Sequence, residues 1–377
     1  PDTFDAQKRP PLRMAFDRFS VEDGLCSNFI SCIFQDSRGF LWVGTDDGLN
    51  RYDGYQFKQY RHEESNPQSL LQSNTLQVVE DRQGHIWVLC TSGLSEIDPE
   101  TNTIETYLDT LCQGRINTNP ASMVIDKDDI IWIDGNNLAF DISRKQFFLL
   151  KIPFEEGGRF TVNSSGKVSG VSTELLKDSL GGQLMRSAIF SYDCKTEKLN
   201  FLFDTVAASW TLGSNKLLTD RDDVIWFGRQ DGELLHFDFR KKTIGKARPC
   251  RGSIKGMHYT FGNNVLWLAG WCGLSRYALG LQDENAHQLY VTDERDPTSL
   301  PTKITRCVLE DNAGNVWVGT QDAGLCRYSP SKHKFESFSR IFPDTANLAG
   351  KTVEALHFDK NDQLWVGTNK GLNLLLD

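Results

Sequence analysis

Short apolar runs separated by polar turn residues recur along the whole chain, and none of them is long. Ile30-Ser31-Cys32-Ile33-Phe34, Phe40-Leu41-Trp42-Val43-Gly44-Thr45 and Leu49-Asn50-Arg51-Tyr52-Asp53 follow one another with turns between them. A fourth run, Gln56-Phe57-Lys58-Gln59-Tyr60, completes the group. Apolar alternation over such short stretches is the period of strands, not of helices. The intervening segments carry turn chemistry. Ser37-Arg38-Gly39, Arg82-Gln83-Gly84 and Asn312-Ala313-Gly314 each end on Gly, as does Asp46-Asp47-Gly48. Gly supplies positive φ at no steric cost, and an Asp before such a turn can accept backbone N–H groups two residues on. Each repeat therefore reads as four short strands, a to d in chain order.

Tryptophan makes the period visible. Trp42, Trp87, Trp132, Trp226, Trp267, Trp317 and Trp365 each sit in a strand b, with gaps of 45, 45, 94, 41, 50 and 48 residues. The gap of 94 is two periods. The repeat without a Trp falls at Asn163–Gly170, with Ser169 in the Trp slot. Six residues before the Trp stands an acid in six repeats: Asp36, Asp81, Asp126, Asp220, Asp311 and Asp359. Periods of roughly 40–50 residues with several strands each predict a propeller. The fold class is thus all-β: a β-propeller of four-stranded antiparallel blades, with the large indoles filling the wedges between blades.

The termini bear on the blade count. Ala15-Phe16-Asp17-Arg18-Phe19-Ser20 reads as a strand d with nothing before it, and Gly371–Asp377 as a strand c with no d after it. An N-terminal strand that completes the last blade would seal the sheet edges. On this bookkeeping one domain spans 1–377 with eight blades. The alternative is seven blades closed on the Trp317 repeat, with the Trp365 repeat beginning a second propeller. Residues 173–185 read as an insertion between strands b and c of the fourth repeat, where a long loop suggests function.

Composition narrows the function classes. The chain has 377 residues, enough for two domains by length, a prior that repeat folds break, and a formal net charge of −9. An acidic chain with no Lys/Arg block is a poor partner for nucleic acid or an anionic membrane. No apolar stretch approaches the roughly 18 residues of a spanning helix. Nine cysteines form no C-x-x-C pair, which gives no support to zinc, and buried thiols acting as small hydrophobes are expected. The chain starts at Pro1 without Met, as a processed protein or excised fragment would.

The full repeat, Gly24-Leu25-Cys26-Ser27-Asn28, Gln35-Asp36, Gly39–Thr45 and Asp47–Gly54, resembles the two-component-regulator propeller repeat. The pattern returns at Trp317-Val318-Gly319-Thr320 with Gly324-Leu325-Cys326-Arg327-Tyr328, and at Trp365-Val366-Gly367-Thr368 with Gly371-Leu372-Asn373. The resemblance is to the periplasmic sensor half of Bacteroides-type hybrid two-component systems. It implies a ligand-sensing domain that recognises an oligosaccharide and signals, through a histidine kinase, to polysaccharide-utilisation genes. It further implies a second propeller and a β-sandwich of the same sensor as partners, with a homodimer as a further expectation. Sensors of this kind carry seven-bladed propellers, which favours the alternative count.

No catalytic constellation emerges. There is no G-x-S-x-G, H-E-x-x-H or G-x-x-x-x-G-K, and the seven histidines share no repeat position. The reading is a non-enzymatic region, with no cofactor and no metal. Asp126–Asp129, Asp220–Asp223 and Asp359–Asp362 lack the later Glu of a calcium loop and read as hairpin turns. Two tryptophans fall outside the repeat, Trp210 before strand a of the fifth blade and Trp271 in the b–c turn of the sixth. In a propeller the d–a and b–c connections share one rim, so both indoles belong there with Arg115, Asn117, Gln230, Asp231, Gln321 and Asp322. Aromatic and hydrogen-bonding side chains on one rim suit a sugar. The alternatives are a structural or protein-interaction propeller and, from another class, a propeller polysaccharide lyase or hydrolase.

Overall fold

In the computed structural model the described residues are 14–111, 122–135, 137–152, 158–163, 165–177, 183–193, 196, 198–207, 216–238, 240–247, 252–279, 287–330, 349–350, 352–360 and 363–375. Among them the repeats fold into seven four-stranded antiparallel sheets and one three-stranded sheet. Strands a to d of blade 1 are Ile30–Gln35, Leu41–Thr45, Gly48–Tyr52 and Phe57–Tyr60. Strands a of blades 2 to 7 are Gln77–Glu80, Met123–Ile125, Arg159–Val162, Lys216–Thr219, Ile254–Thr260 and Thr305–Glu310. Each strand a contacts the strand a of the next blade, and that of blade 7 contacts that of blade 1, so the seven close into a ring.

The clasp of that ring is the N-terminal strand Phe16–Phe19, the outer strand of blade 7. It runs antiparallel to Leu325–Tyr328, with Phe16 opposite Tyr328 and Phe19 opposite Leu325. The propeller therefore has seven blades, not the eight favoured by the strand count. The ring lies within one compact unit, Met14–Tyr328. The eight-blade count failed because sequence shows only that an orphan strand d exists, not which strand c it completes. The two phenylalanines take opposite faces, as the alternation predicts. Phe16 is buried with Val265, Trp267 and Val316, and Phe19 packs against Trp317, Tyr52 and Phe57. Asp17 Oδ2 accepts from Arg327 at 2.7 Å across the same pair.

The acid six residues before each Trp does more than shape a turn. In blade 1, Asp36 Oδ1 accepts the N–H of Arg38 (3.1 Å) and Phe40 (2.8 Å), and Oδ2 accepts Trp42 Nε1 (2.9 Å). The same latch joins Asp81 to Trp87, Asp126 to Trp132, Asp220 to Trp226 and Asp311 to Trp317 at 2.7–2.9 Å. An indole N–H buried between blades needs an acceptor, and the turn supplies it. Blade 4 has Ser169 in the Trp slot and Asn163 in the acid slot; Asn163 Oδ1 still accepts Ser165 N–H and Lys167 N–H, and no indole remains to be served. Blade 6 lacks the acid, and there Glu310 of blade 7 accepts Trp267 Nε1 at 2.7 Å. The turns Asp126–Asp129 and Asp220–Asp223 are hairpins of this kind, as read from the sequence.

The Gly of the Trp-Val-Gly-Thr run answers to packing. A Cβ at Gly44 would stand 2.5 Å from Cys32 Sγ and 2.7 Å from Thr75 of the next blade. One at Gly319 would stand 2.4 Å from Cys307 Sγ and 2.6 Å from Ile30. Only Gly allows blades to approach this closely near the axis. In blade 4 the described residues of the 173–185 segment, 173–177 and 183–185, belong to strands b and c. Strand b, Val168–Lys177, pairs through Lys177↔Gln183 with strand c, Gln183–Asp193, and strand d, Lys198–Ala207, follows it outward.

The three-stranded sheet, Val353–Phe358, Leu364–Thr368 and Gly371–Leu375, has the same internal pairing and the same Asp359–Trp365 latch (3.1 Å). Its burial differs. Leu41–Thr45 and Leu364–Thr368 have the identical sequence LWVGT; the first is buried throughout, the second is largely half-buried. Leu356, Phe358 and Leu372 are 64–66% exposed.

Candidate functional site at the ring axis and its rim

Strand a is innermost, so the side chains it turns inward line the axis. The position paired with the residue two beyond the Trp slot is occupied in ring order by Cys32, Gln77, Ser122, Arg159, Lys216, Gly256 and Cys307. Lys216 reaches across to blade 3, where Nζ donates to Ser122 Oγ at 3.0 Å. The Cys32 and Cys307 thiols both lie within its electrostatic reach. Asp134, at the end of strand b of blade 3, is buried; it accepts Phe160 N–H at 2.9 Å and stands 4.0 Å from Arg159 Nη1. A Lys, an Arg and an Asp from three consecutive blades thus share the axial space.

Above them, strand a is bulged in three neighbouring blades. The pairing skips one residue between Ile30 and Cys32, between Ile254 and Gly256, and between Thr305 and Cys307. The skipped residues are Ser31, Lys255 and Arg306. A bulge frees a residue from the ladder and re-aims its side chain. Ser31 Oγ donates to Thr75 C=O at 2.6 Å. The Arg306 guanidinium lies 4.2 Å from the centre of the Phe29 ring, and Lys255 Nζ lies 5.6 Å from that of Trp271. Trp271 itself is 57% exposed in the b–c turn of blade 6, where its backbone N–H donates to Ser253 C=O at 3.1 Å.

The other rim residues singled out from sequence fare unevenly. Trp210, Arg115 and Asn117 lie outside the described residues. Gln230 and Asp231 are exposed in the b–c turn of blade 5, where Arg229 Nη2 donates to Asp231 Oδ2 at 2.9 Å. Gln321 and Asp322 are exposed in the b–c turn of blade 7. These two turns flank Trp271 on consecutive blades. The residues that sequence reading missed are Phe29, Asp134, Arg159, Lys216, Lys255 and Arg306.

Burial sets the electrostatics. It pushes the Asp134 carboxyl from 3.8 up to about 7, with Arg159, the Phe160 N–H and Lys216 pulling the other way. It depresses Lys216, Arg159, Lys255 and Arg306. A carboxyl raised in the native state binds its proton more tightly there than in the unfolded chain. Its contribution to stability is therefore complete below pH 3.8 and is lost as pH rises through about 7. Asp134→Asn is expected to flatten the stability profile over that window, by about 2–4 kcal/mol. Thermal melts at pH 4.5 and 7.5 check this, and equal slopes for both proteins would contradict it.

Two further features stand away from the axis. Asp81, His85 and Glu96 bring ligand-type atoms within 4.8 Å of one another, the one such group among the described residues. Its oxygens are already engaged: Asp81 by Trp87 Nε1, and Glu96 by His85 (2.9 Å), Tyr107 OH (2.7 Å) and Lys145 (3.4 Å). The group reads as a polar clamp. Among the described cysteines, burial raises Cys26 and Cys32 to about 11 and Cys326 to about 12, so these thiols act as core hydrophobes, as expected. Cys272, beside Trp271, is disulfide-bonded.

Residues 24–47 and 299–322 match the two component regulator propeller family, so the chain carries repeats of that family. Over 47 residues, 12% of the chain and 3% of the relative, it is 51% identical to histidine kinase P4 of Formosa agariphila. Two solved extracellular domains of hybrid two component systems from B. thetaiotaomicron share the fold. The first, of BT3049, matches at a TM-score of 0.73 and 22% identity over 96% of this chain; the second, of BT4673, at 0.62 and 20% over 97%. The chain spans about half of each, 48% and 46%.

Proposed function

We propose that this chain is the ligand-sensing, extracytoplasmic propeller of a hybrid two-component sensor, that it acts by binding and not by catalysis, and that it recognises an oligosaccharide at the axis and b–c rim. The observation that carries this reading is the regulator-propeller repeat itself, matched twice, on a ring whose fold is that of sensor extracellular domains. A periplasmic location agrees with the disulfide at Cys272, since such bonds persist in oxidising compartments. No helix among the described residues is long and apolar enough to cross a membrane. Signalling to polysaccharide-utilisation genes and a kinase elsewhere in the protein belong to the same proposal. So does a second propeller as partner, which the exposed apolar faces of the three-stranded sheet support.

Binding signals only if the ligand prefers one arrangement of the sensor over another. A calorimetric screen of oligosaccharides against the intact extracytoplasmic region is expected to yield at least one binder whose affinity falls when Trp271 is replaced by Ala. Incubation with the same sugars should release no new reducing or unsaturated ends. A screen with no binder, or the appearance of such ends, would count against the proposal.

A further inference from the structure

The chain has a formal net charge of −9, yet the described residues around the ring axis reverse that sign. Lys216, Arg159, Lys255 and Arg306 lie around the axis with buried Asp134 and exposed Asp46, while Asp231, paired with Arg229, and Asp322 stand exposed in the b–c turns that flank Trp271. Arg159 stands 4.0 Å from Asp134. Among the described residues, Lys216, Lys255 and Arg306 have no carboxylate within ion-pair distance, and the buried Arg306 Nε has no hydrogen-bond acceptor. Cations withdrawn from water without a counter-charge are unfavourable. A structural role accounts for part of this set, since Arg159 joins blade 4 to Asp134 of blade 3 and Lys216 reaches across the ring from blade 5 to Ser122 of blade 3. It does not account for Lys255 and Arg306. These occupy the same bulge position on adjacent blades, and the Arg306 charge makes Lys255 harder to charge. Lys255 Nζ lies 5.6 Å from the centre of the exposed Trp271 ring, and the Arg306 guanidinium 4.2 Å from that of Phe29.

We infer that the axial funnel takes the carboxylate or sulfate ester of an acidic oligosaccharide, with Arg306 and Lys255 gripping the anion at the mouth. Lys216 supplies positive potential deeper in the funnel, and Trp271 offers an apolar face to a sugar ring. This rests on the oligosaccharide reading above and specifies its chemistry. A planar guanidinium fork matches both anion types, and a Lys beside it adds a point charge. The missing counter-charge then arrives with the ligand.

The test is calorimetry on the full chain with four probes: a uronate oligosaccharide, a sulfated oligosaccharide, a neutral oligosaccharide and sodium sulfate. At least one acidic sugar is expected to bind, and to weaken as sodium chloride rises. The neutral sugar and sulfate alone should bind at least about tenfold less tightly, and Arg306→Gln or Lys255→Gln should each cost about tenfold or more at an unchanged melting temperature. Equal binding of neutral and acidic sugars, unmoved by either variant, would overturn the inference and leave the saccharide reading standing. Sulfate alone binding as tightly as the acidic sugars would overturn it by reducing the funnel to an adventitious anion site. No binding by any probe would overturn both. Two separate variants keep the test decisive if one of them fails to fold.

Discussion

Deletion of residues 1–20 is expected to lower the melting temperature by several degrees and to make the protein prone to aggregate. The deletion removes the outer strand of blade 7, and with it a four-residue ladder against Leu325–Tyr328. Phe16, 6% exposed, and the partly buried Phe19 leave two different inter-blade layers. Their apolar area corresponds to about 2–4 kcal/mol at about 25 cal/mol per Å². Loss of the ladder hydrogen bonds adds about 0.5–1.5 kcal/mol for each. The freed edge of Leu325–Tyr328 then offers unpaired backbone groups to another chain. Phe16→Ala alone should reproduce part of the loss, about 3 kcal/mol. Tyr55→Ala, at a side chain 95% exposed, should change stability by less than about 0.5 kcal/mol. Calorimetric melts and light scattering on the three proteins measure the effect. A deletion that melts with the parent would mean that the ring holds without its clasp.

The second large effect belongs to the latch. Asp36→Ala removes three hydrogen bonds at once and strands the Trp42 N–H in a position with no solvent exposure. A buried donor left unsatisfied costs about 1–3 kcal/mol beyond the bonds themselves, so a total of about 2–4 kcal/mol is expected. Asp36→Asn should lie between, because its Oδ1 can still serve the turn while its Nδ2 meets the indole donor to donor. Blade 4 shows how the conflict is relieved: Asn163 suffices there because Ser169 replaces the indole. Adding Trp42→Phe to Asp36→Asn should therefore cost less than the sum of the two single changes. A double-mutant cycle by urea denaturation reads this coupling. Strict additivity would show that the turn and the indole act independently.

Most of the architecture was legible because it is written in repeated chemistry. The tryptophan period, the acid six residues earlier and the turn glycines each recur, and each blade folds by local pairing that such signals specify. Blade number was not legible. It depends on whether Phe16–Phe19 finds Leu325–Tyr328 or the later Leu372 strand, and each of these is a strand c that follows the same Trp-Val-Gly-Thr run. Wedge packing by other blades makes the difference, and that is a property of the closed ring. The extended strands of blade 4 were missed because the Glu174-Leu175-Leu176-Lys177 stretch has no alternation to mark it as a continuation of strand b.

The site was legible only at its rim. Trp271 stood out by breaking the repeat. The axial cations did not, because each occupies an ordinary strand position and differs from its counterparts only in kind. Counting ten residues back from the Trp slot, or eleven in blade 6, gathers Cys32, Gln77, Ser122, Arg159, Lys216, Gly256 and Cys307 into one ring. That alignment would have exposed Lys216 and Arg159. Lys255 and Arg306 lie one position earlier and owe their inward aim to bulges, which leave no reliable trace in a single sequence.

The antiparallel clasp also decides how the ring responds to force. Phe16, where the chain enters the ring, pairs directly with Tyr328, where it leaves. Tension between the segments before residue 14 and after residue 328 therefore pulls on both strands from the same end. Opposed strands loaded that way part like a zipper, one residue pair at a time, starting at Phe16 and Tyr328 and moving toward Phe19 and Leu325. A parallel clasp would carry the same load in shear, with all its bonds resisting together. Pulled in this way, the ring would open at its seam, and the blade 6–blade 7 layer around Phe16 would yield before the blade 7–blade 1 layer around Phe19.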